Sequence, residues 1–499
     1  MRCYKSMKFL FLFLSPLFHC CLIAQSIKFA PKNIDNTSLD FVKIAGQDQD
    51  GFFLLQSNIS FDIDKDKVGF RSRKYKITYY DFELNEKWGR LFAKKDDDIP
   101  IENITFGNGE LVLCYTEINF EKNLVTIFAH NLNCKNKLSE KLKIAELNFT
   151  DLSELDKIKI AVSHDKTKYA FIQNEIKKDD TQTLHAVITD NNFQIINTSK
   201  ININYPEKNF YFEGWALSDL GDFVVLGSNH TKEKFTTKKK WVNYLMYVAK
   251  HNQQLGKEYS LNNNNLMLDG NYLTYDFTRN DVVLSGFYNE RPPGSSGLFV
   301  ARQKLDADLA PELKKQPISE GEKAKLQNTE ILDSNPYQLQ NYTIEKVILR
   351  SDGGAVIIAE VAYTSEFSYY DYFSQTYVRR VEYHFENAAI FSVNADGTIH
   401  WNTVLRKTQV STDDYGVYSS FIPAITEEKI NFVYNDDLDK TNAVKLFSVS
   451  KDGKPEEKPI TKPEDRILII PRSGKQVSEN EIVVPCWQRK NLTLIKITL

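Results

Sequence analysis

The chain has 499 residues, of which 42% are hydrophobic, 26% charged and 12% aromatic. This composition excludes a disordered chain, a collagen and a protein with several membrane-spanning helices, and it fits a folded protein with a large core. The formal net charge of −3 argues against nucleic acid as a partner, which would favour a basic protein. Length alone suggests about three domains, at roughly 150 residues each.

The first 24 residues have the pattern of a secretory signal peptide. Three basic residues precede a short apolar run over residues 9–24, which ends at the junction of Ala24 and Gln25. Its removal would take away those three basic residues and no acids, so the net charge would fall from −3 to about −6. We therefore expect an exported protein that begins at Gln25 and is periplasmic, outer-membrane-associated or extracellular.

Three cysteines follow residue 24, namely Cys114, Cys134 and Cys486. An odd number in an exported protein is not a disulfide framework. Cys114 and Cys486 lie in strand-like apolar runs, which favours small buried side chains. A disulfide between Cys114 and Cys134, within one repeat, is the alternative, and the sequence leaves both possibilities open.

The body of the chain repeats one unit, in which a tight polar turn precedes a strongly apolar strand. A longer alternating strand and a second turn follow, as in FSVNADGTIHW, where Asp396 and Gly397 suit a tight hairpin turn. The first strongly apolar residue recurs eight times, at intervals of 52 to 75 residues: Phe52, Leu111, Tyr169, Phe223, Val282, Ala355, Ile430 and Ile482.

Four antiparallel strands per unit, with the second most apolar, predict an all-β fold: a β-propeller of about eight four-stranded blades, with seven as the alternative. The last unit has room for only three strands, ILIIPR, EIVVPCW and LTLIKITL, while SIKFAPK at residues 26–32 has no partner. We predict that this N-terminal strand pairs with the last blade and closes the ring. Residues 25–499 then form one domain, with insertions near 318–341 and 362–380.

The connections between the second and third strands of a unit are long and varied, whereas the turns between first and second strands are tight. In a propeller these longer loops share one face with the inter-blade connections. Function on a scaffold fold gathers on such loops, so we expect a binding site on this face. The loops are at 58–73, 174–182, 229–240, 289–297, 364–377 and 435–442.

The sixth unit has nine aromatic residues between positions 363 and 385, where the average composition would give about three. Tyrosine and phenylalanine offer large, rigid contact surfaces. The alternative is that this hairpin packs its own aromatic side chains over the ring. We predict that the hairpin binds a protein or glycan partner, through Tyr369, Tyr370, Tyr372, Phe373 and Tyr377.

The sequence identifies no catalytic residues, and we expect no metal and no cofactor. The acidic loop at residues 61–70 lacks the glycine and glutamate of an EF-hand, and no two histidines after residue 24 stand at metal-ligand spacing. NADGTIHW resembles one repeat of the pyrroloquinoline-quinone dehydrogenase propellers, with Trp88 and Trp401 at the position of their repeated tryptophan. The vicinal cysteine pair of those enzymes is absent after residue 24.

Segments between residues 368 and 436, with the Ala-Gln junction, resemble a group of secreted β-propeller-like proteins of Bacteroidota-type bacteria. The resemblance implies export and a propeller-like body, and it implies no activity. The segments are SYYDYFSQTYVRRVEYHFENAAIFSV, DGTIHW, YSSFIPA and NFVYND.

From these features we expect an exported, non-catalytic binding or scaffold protein. It would bind a protein or glycan partner through the face with the long loops, as a monomer or within a cell-envelope complex. Two alternatives stay open. One is a hydrolase or lyase that acts on polysaccharide with carboxylates at the channel mouth. The other is a structural subunit of a cell-envelope assembly.

Overall fold

The structure of the protein, a computed structural model, describes most of the chain after residue 25. The predicted signal peptide and the acidic loop at 61–70 lie outside the described residues. The described ranges are 26–34, 39, 41–58, 74–92, 101–148, 158–177, 180–232, 240–261, 267–290, 296–305, 311–327, 341–438 and 442–499.

The strands form eight antiparallel sheets, here called blades 1 to 8 in chain order. Neighbours in each sheet follow the order of the chain. From the first strand to the fourth, blade 1 contains β2 (Phe41–Gln47), β3 (Gly51–Ser57), β4 (Tyr75–Asp81) and β5 (Glu86–Phe92), and blade 2 contains β6 (Asn103–Gly107), β7 (Glu110–Asn119), β8 (Leu124–Leu132) and β9 (Leu142–Asn148). In the same order, blade 3 contains β10 (Lys159–Val162), β11 (Lys168–Ile176), β12 (Gln182–Asp190) and β13 (Ile195–Ile203), and blade 4 contains β14 (Phe210–Leu217), β15 (Phe223–Lys232), β16 (Lys240–Ala249) and β17 (Lys257–Ser260).

The last four blades follow the same plan, with a fifth strand in blade 6 and a divided first strand in blade 8. The described helices are α1 (Glu320–Gln327) and short 3-10 turns at Glu207–Asn209, Pro463–Asp465 and Pro471–Ser473. Blade 5 contains β18 (Met267–Asp276), β19 (Asp281–Asn289), β20 (Gly297–Lys304) and β21 (Lys314–Pro317), and blade 6 contains β22 (Tyr342–Leu349), β23 (Ala355–Asp371), β24 (Thr376–Val393), β25 (Ile399–Leu405) and β26 (Gln409–Thr412). Blade 7 contains β27 (Phe421–Ile425), β28 (Lys429–Asn435), β29 (Val444–Ser450) and β30 (Pro455–Pro459). Blade 8 contains β31 (Ile467–Ile469), β32 (Lys475–Ser478), β33 (Glu481–Gln488) and β34 (Asn491–Thr498), and β1 (Ile27–Phe29) is its outermost strand.

The N-terminal strand closes the ring. β1 pairs antiparallel with β34, so that Ile27 lies opposite Ile497 and Phe29 opposite Ile495. Beyond β1, the Ala30 amide donates to the Leu494 carbonyl at 2.9 Å. The prediction of eight blades closed by this strand is therefore confirmed.

Eight hydrophobic cores hold the blades together, one between each pair of neighbours. The core between blades 8 and 1, for example, contains Phe52 and Leu54 of β3 with Val483 and Leu494 of blade 8. The second strand of each blade is covered by these cores on both of its faces. In blade 1, for example, all seven residues of the second strand, β3, are buried. This burial explains why the second strands are continuous apolar runs instead of alternating ones. First strands of successive blades contact one another around the ring axis, and we call them inner strands.

Two tryptophans of outer strands connect their blades to the next blade. The Trp88 indole donates to the Cys134 carbonyl at 2.6 Å, and the Trp401 indole donates to the Lys451 carbonyl at 3.0 Å. In both cases the acceptor lies in the turn between the third and fourth strands of the following blade. Gly453 has a φ of +82°, and a Cβ there would come within 2.7 Å of the Trp401 ring. The turn therefore needs glycine to lie against the indole.

Three details differ from or refine the sequence predictions. The expected single first strand of blade 8 is two strands, β31 and β32, because the 3-10 turn at Pro471–Ser473 interrupts it. The insertion near 318–341 contains α1. The three cysteines are free, with Cys114 and Cys486 buried and Cys134 half-buried. Burial raises the pKa of Cys486 to about 12, so this thiol stays protonated at neutral pH.

Candidate functional site

The insertion in blade 6 is a long β-hairpin, here called the arm (residues 362–385). β23 and β24 have 17 and 18 residues, whereas most strands of the other blades have ten or fewer. Their pairing continues beyond the blade as far as Asp371 opposite Thr376. The Asp371 carboxylate accepts bonds from the Phe373 amide at 3.0 Å and the Ser374 hydroxyl at 2.7 Å. These bonds lower the pKa of Asp371 and fix the turn at the tip.

The five aromatic residues singled out from the sequence lie in the outer half of the arm, and all are exposed. The Tyr370 ring packs edge-on against Tyr372 at 5.2 Å and against Tyr377 at 5.3 Å, measured between ring centroids. Tyr369 lies on the opposite face of the hairpin, because successive strand residues alternate. The exposed fractions are 43% for Tyr369, 41% for Tyr370, 84% for Tyr372, 101% for Phe373 and 74% for Tyr377.

The inner half of the arm packs against the ring. Phe385 is buried, and the Arg472 guanidinium of blade 8 lies 4.7 Å from the centre of its ring. Tyr383 contacts Tyr415, which in turn contacts Phe41 of blade 1, at centroid distances of 6.0 and 5.9 Å. The arm therefore divides into an aromatic base packed over the ring and an aromatic tip in solvent.

The connection between blades 6 and 7 supports the base of the arm. β26 pairs with β24 over Glu382–Phe385, which gives the base a third strand. Where β26 ends, Asp413 accepts a bond from the Val381 amide at 2.9 Å and forms an ion pair with Arg380. This pairing places the arm on the same face as the inter-blade connections. The sequence gives no signal for β26, since four residues form too short a pattern.

A buried ion pair stands beside the base of the arm. The Lys407 ammonium lies 2.6 Å from the Glu360 carboxylate, and neither side chain is exposed. Lys407 also donates to the Gln409 side chain at 2.9 Å, and Glu360 accepts a bond from the Ser420 hydroxyl at 2.6 Å. Burial lowers the pKa of Lys407, and the attraction of Glu360 opposes that effect. The pair joins β23, where the arm leaves blade 6, to the segment that carries β26.

Three inner strands also carry carboxylates, the groups that a polysaccharide-acting enzyme would need at the channel mouth. Glu213 accepts a bond from Ser228, Asp269 accepts one from the Gly270 amide, and Glu345 lies 3.6 Å from Arg472. Burial raises the pKa values of Asp269 and Glu345. Each of these three carboxylates therefore contacts a different partner, and each contact is part of the structure around that carboxylate.

A cleft of about 600 Å³ lies between blades 6 and 7 on the opposite face, where the first-to-second turns are. Trp401 and Arg350 line it together with apolar side chains and with the charged side chains of Asp352, Glu427, Glu428, Lys429 and Lys451. The Arg350 guanidinium donates to the Ser392 hydroxyl at 2.7 Å and pairs with Asp352, so both of these contacts lie within blade 6.

Among the described residues, no group of three or more histidine, cysteine, aspartate or glutamate side chains could hold a metal ion. No helix in the described part of the chain is long and apolar enough to cross a membrane.

The strand pairing and the eight cores between blades define the class of protein: an eight-bladed β-propeller, here with a projecting aromatic arm. No protein-family model matches the sequence. No curated protein sequence matches it either.

Several solved structures are similar in fold. The WD40 domain of SCAP from fission yeast has a TM-score of 0.41 and 10% identity, over 95% of this chain and 98% of that chain. The β-propeller domain of the Trilobed protease from Pyrococcus furiosus has a TM-score of 0.34 and 12% identity, over 86% and 98%. The polysaccharide lyase Uly1 has a TM-score of 0.36 and 11% identity, over 79% and 89%. At this level of similarity, none of them indicates a function for this chain.

Proposed function

We propose that this propeller is an exported, non-catalytic binding protein that holds a partner protein with the tip of the arm. The exposure of Phe373 carries the proposal, since this ring is fully accessible at the end of an ordered hairpin. Small-molecule sites are concave, whereas the tip is convex. A projecting apolar tip suits a hydrophobic groove on another folded protein, where buried aromatic side chains supply most of the binding energy.

The packing of the tip favours a protein over a glycan. The Tyr370 ring meets Tyr372 at 86° and Tyr377 at 68°. Rings in this edge-on arrangement form a knob with an irregular surface. A sugar ring would instead need a flat aromatic face on which to stack.

Export is proposed from the signal-like N-terminus. Cleavage after Ala24 would leave the closing strand β1 intact, because that strand begins at Ile27. N-terminal sequencing of the protein from its native cells tests the proposal, and Gln25 is the expected first residue. An intact N-terminus in the native protein would contradict it.

Replacing Tyr372 and Phe373 together by serine is expected to weaken partner binding by at least about 30-fold, since loss of an interface hot spot costs about 2 kcal/mol or more. The free energy of unfolding should change by less than about 0.5 kcal/mol, because both side chains are exposed. A photo-crosslinking amino acid at position 373 would capture the partner from the native cell envelope. Calorimetry with the purified partner then measures the loss.

Phe120→Ser provides the matched control. Phe120 is 67% exposed and lies in the connection between the second and third strands of blade 2, on the same face of the ring. This variant should bind the captured partner as the wild type does. Equal binding by the arm variant and the wild type would show that the tip is not the site.

A further inference from the structure

Four lysines from different blades lie on inner strands or in the turn that follows an inner strand. Lys43 lies on β2, Lys346 on β22 and Lys475 on β32, which are inner strands of blades 1, 6 and 8. Lys166 lies in the turn between the first two strands of blade 3. Lys43 and Lys166 are exposed, and Lys346 and Lys475 are half-buried.

The charges of these lysines act on one another. The pKa of Lys475 is lowered first by burial and then by the positive charges of Lys166, Lys43 and Lys346. Lys475 is in blade 8, whereas Lys166 and Lys346 are in blades 3 and 6, so these two lysines can be near Lys475 only across the axis. Burial also lowers the pKa of Lys346. The channel therefore concentrates positive charge at its centre.

These four lysines have no ion-pair partner among the described residues, and no carboxylate contributes to the lowered pKa of Lys346 or Lys475. Glu345, next to Lys346 in sequence, lies 3.6 Å from Arg472 instead. This arrangement contrasts with the net charge of −3 for the whole chain. Placing like charges together costs free energy, which a bound anion would recover.

A cavity between blades 1 and 2 offers space and polar groups beside two of the lysines. Lys43 lines a cavity of about 290 Å³ between the inner strands of blades 1 and 2, together with Asn103 and Thr105. Phe106 lines the same cavity, and the Lys166 ammonium lies 5.4 Å from the centre of its ring. Glu102 lines the cavity as well, and its carboxylate accepts a bond from the Thr116 hydroxyl at 2.5 Å.

We propose that the central channel binds a small ligand with two or more oxyanion groups, either carboxylates or phosphates, through Lys43, Lys166, Lys346 and Lys475. Several ammonium groups on different sides of one channel suit a multivalent anion better than a single charge. This site lies on the ring axis and does not depend on the function of the arm.

Titration calorimetry with citrate and with pyrophosphate, at constant ionic strength, tests the proposal and separates the two chemistries. Wild-type protein should bind at least one of them at a single saturable site, and a neutral polyol should not bind. The double variant K346M/K475M should bind at least about tenfold more weakly, because methionine keeps an unbranched side chain of similar bulk without the charge. K458M is the matched control, since Lys458 lies on the exposed outer strand β30, and it should bind as the wild type does.

The double variant is expected to fold, because it removes two positive charges that burial disfavours. Its melting temperature without ligand should equal or exceed that of the wild type, and the rise in melting temperature with added anion should be smaller. Saturable binding of equal strength in the wild type and the double variant would overturn the proposal. So would a folded wild-type protein that binds neither anion at a saturable site.

Discussion

Deletion of residues 26–34 is expected to lower the free energy of unfolding of the protein by about 5 kcal/mol, from lost apolar burial and lost hydrogen bonds. The segment supplies Ile34, which is 5% exposed in the core between blades 8 and 1, and the partly buried Ile27 and Phe29. Its backbone pairs with β34, and the Ile34 amide donates to the Leu492 carbonyl at 2.9 Å. On its other side β34 pairs with β33, so among the described residues β1 covers the outer edge of β34.

The same deletion turns β34 into an open edge. Five of its eight residues are buried in the intact ring, so the free edge is apolar as well as unpaired. Such an edge is a template for pairing with another chain. We therefore expect the shortened protein to self-associate, which light scattering after size-exclusion chromatography measures alongside unfolding in urea.

A peptide with the sequence of residues 26–34 should restore both properties when it is added to the shortened protein, because it re-forms the outer strand in trans. The same peptide with proline in place of Ala30 is the control, since the Ala30 amide donates to the Leu494 carbonyl at 2.9 Å and proline cannot donate this bond. Identical unfolding midpoints for the intact and shortened chains would show that β1 does not close the ring.

The ring was predictable from sequence because each blade repeats one local pattern. The apolar second strand recurs after each tight turn, and its burial on both faces makes it visible without an alignment. The closure was also predictable, because the last unit lacked one strand and residues 26–32 lacked a partner. The division of the first strand of blade 8 was missed, although Pro471 could have signalled it, since proline interrupts a strand.

The site was predictable only in part. The density of aromatic residues located the arm, but composition does not tell a packed base from an exposed tip. That difference arises because β26 covers the inner half, a tertiary contact between segments that share no sequence pattern. The channel lysines were missed for the same reason. Lys43 and Lys475 are far apart in the sequence, and only closure of the ring brings their blades together.

The buried pair of Glu360 and Lys407 should be among the most sensitive positions in the protein. Glu360→Leu leaves an ammonium group that is fully buried without its carboxylate, and this is expected to cost about 3–5 kcal/mol. Lys407→Met leaves the carboxylate unpaired and should cost a similar amount. Urea unfolding measures both effects.

The double variant E360L/K407M separates the cost of an unpaired charge from the value of the pair. Replacing both partners by apolar side chains removes the buried charges together, so stability should return to within about 1 kcal/mol of the wild type. The exposed pair of Lys429 and Glu456, at 2.7 Å, is the matched control. Glu456→Gln should cost less than about 1 kcal/mol, because water screens that pair.

The effect of an unpaired charge at Glu360 or Lys407 can also be measured locally, at the base of the arm. Lys407 holds Glu360 on β23 and precedes β26, so an unpaired charge here should loosen the pairing of β26 with Glu382–Phe385. Amide hydrogen exchange at that pairing should become faster in each single variant and return toward the wild-type rate in the double variant. Double-variant stability as low as that of the single variants would mean that their loss comes from misfitting side chains and not from an unpaired charge. Unchanged exchange at the arm base would mean that the ion pair stabilises blade 6 alone, and the arm would then depend on β26 and Asp413 for its position.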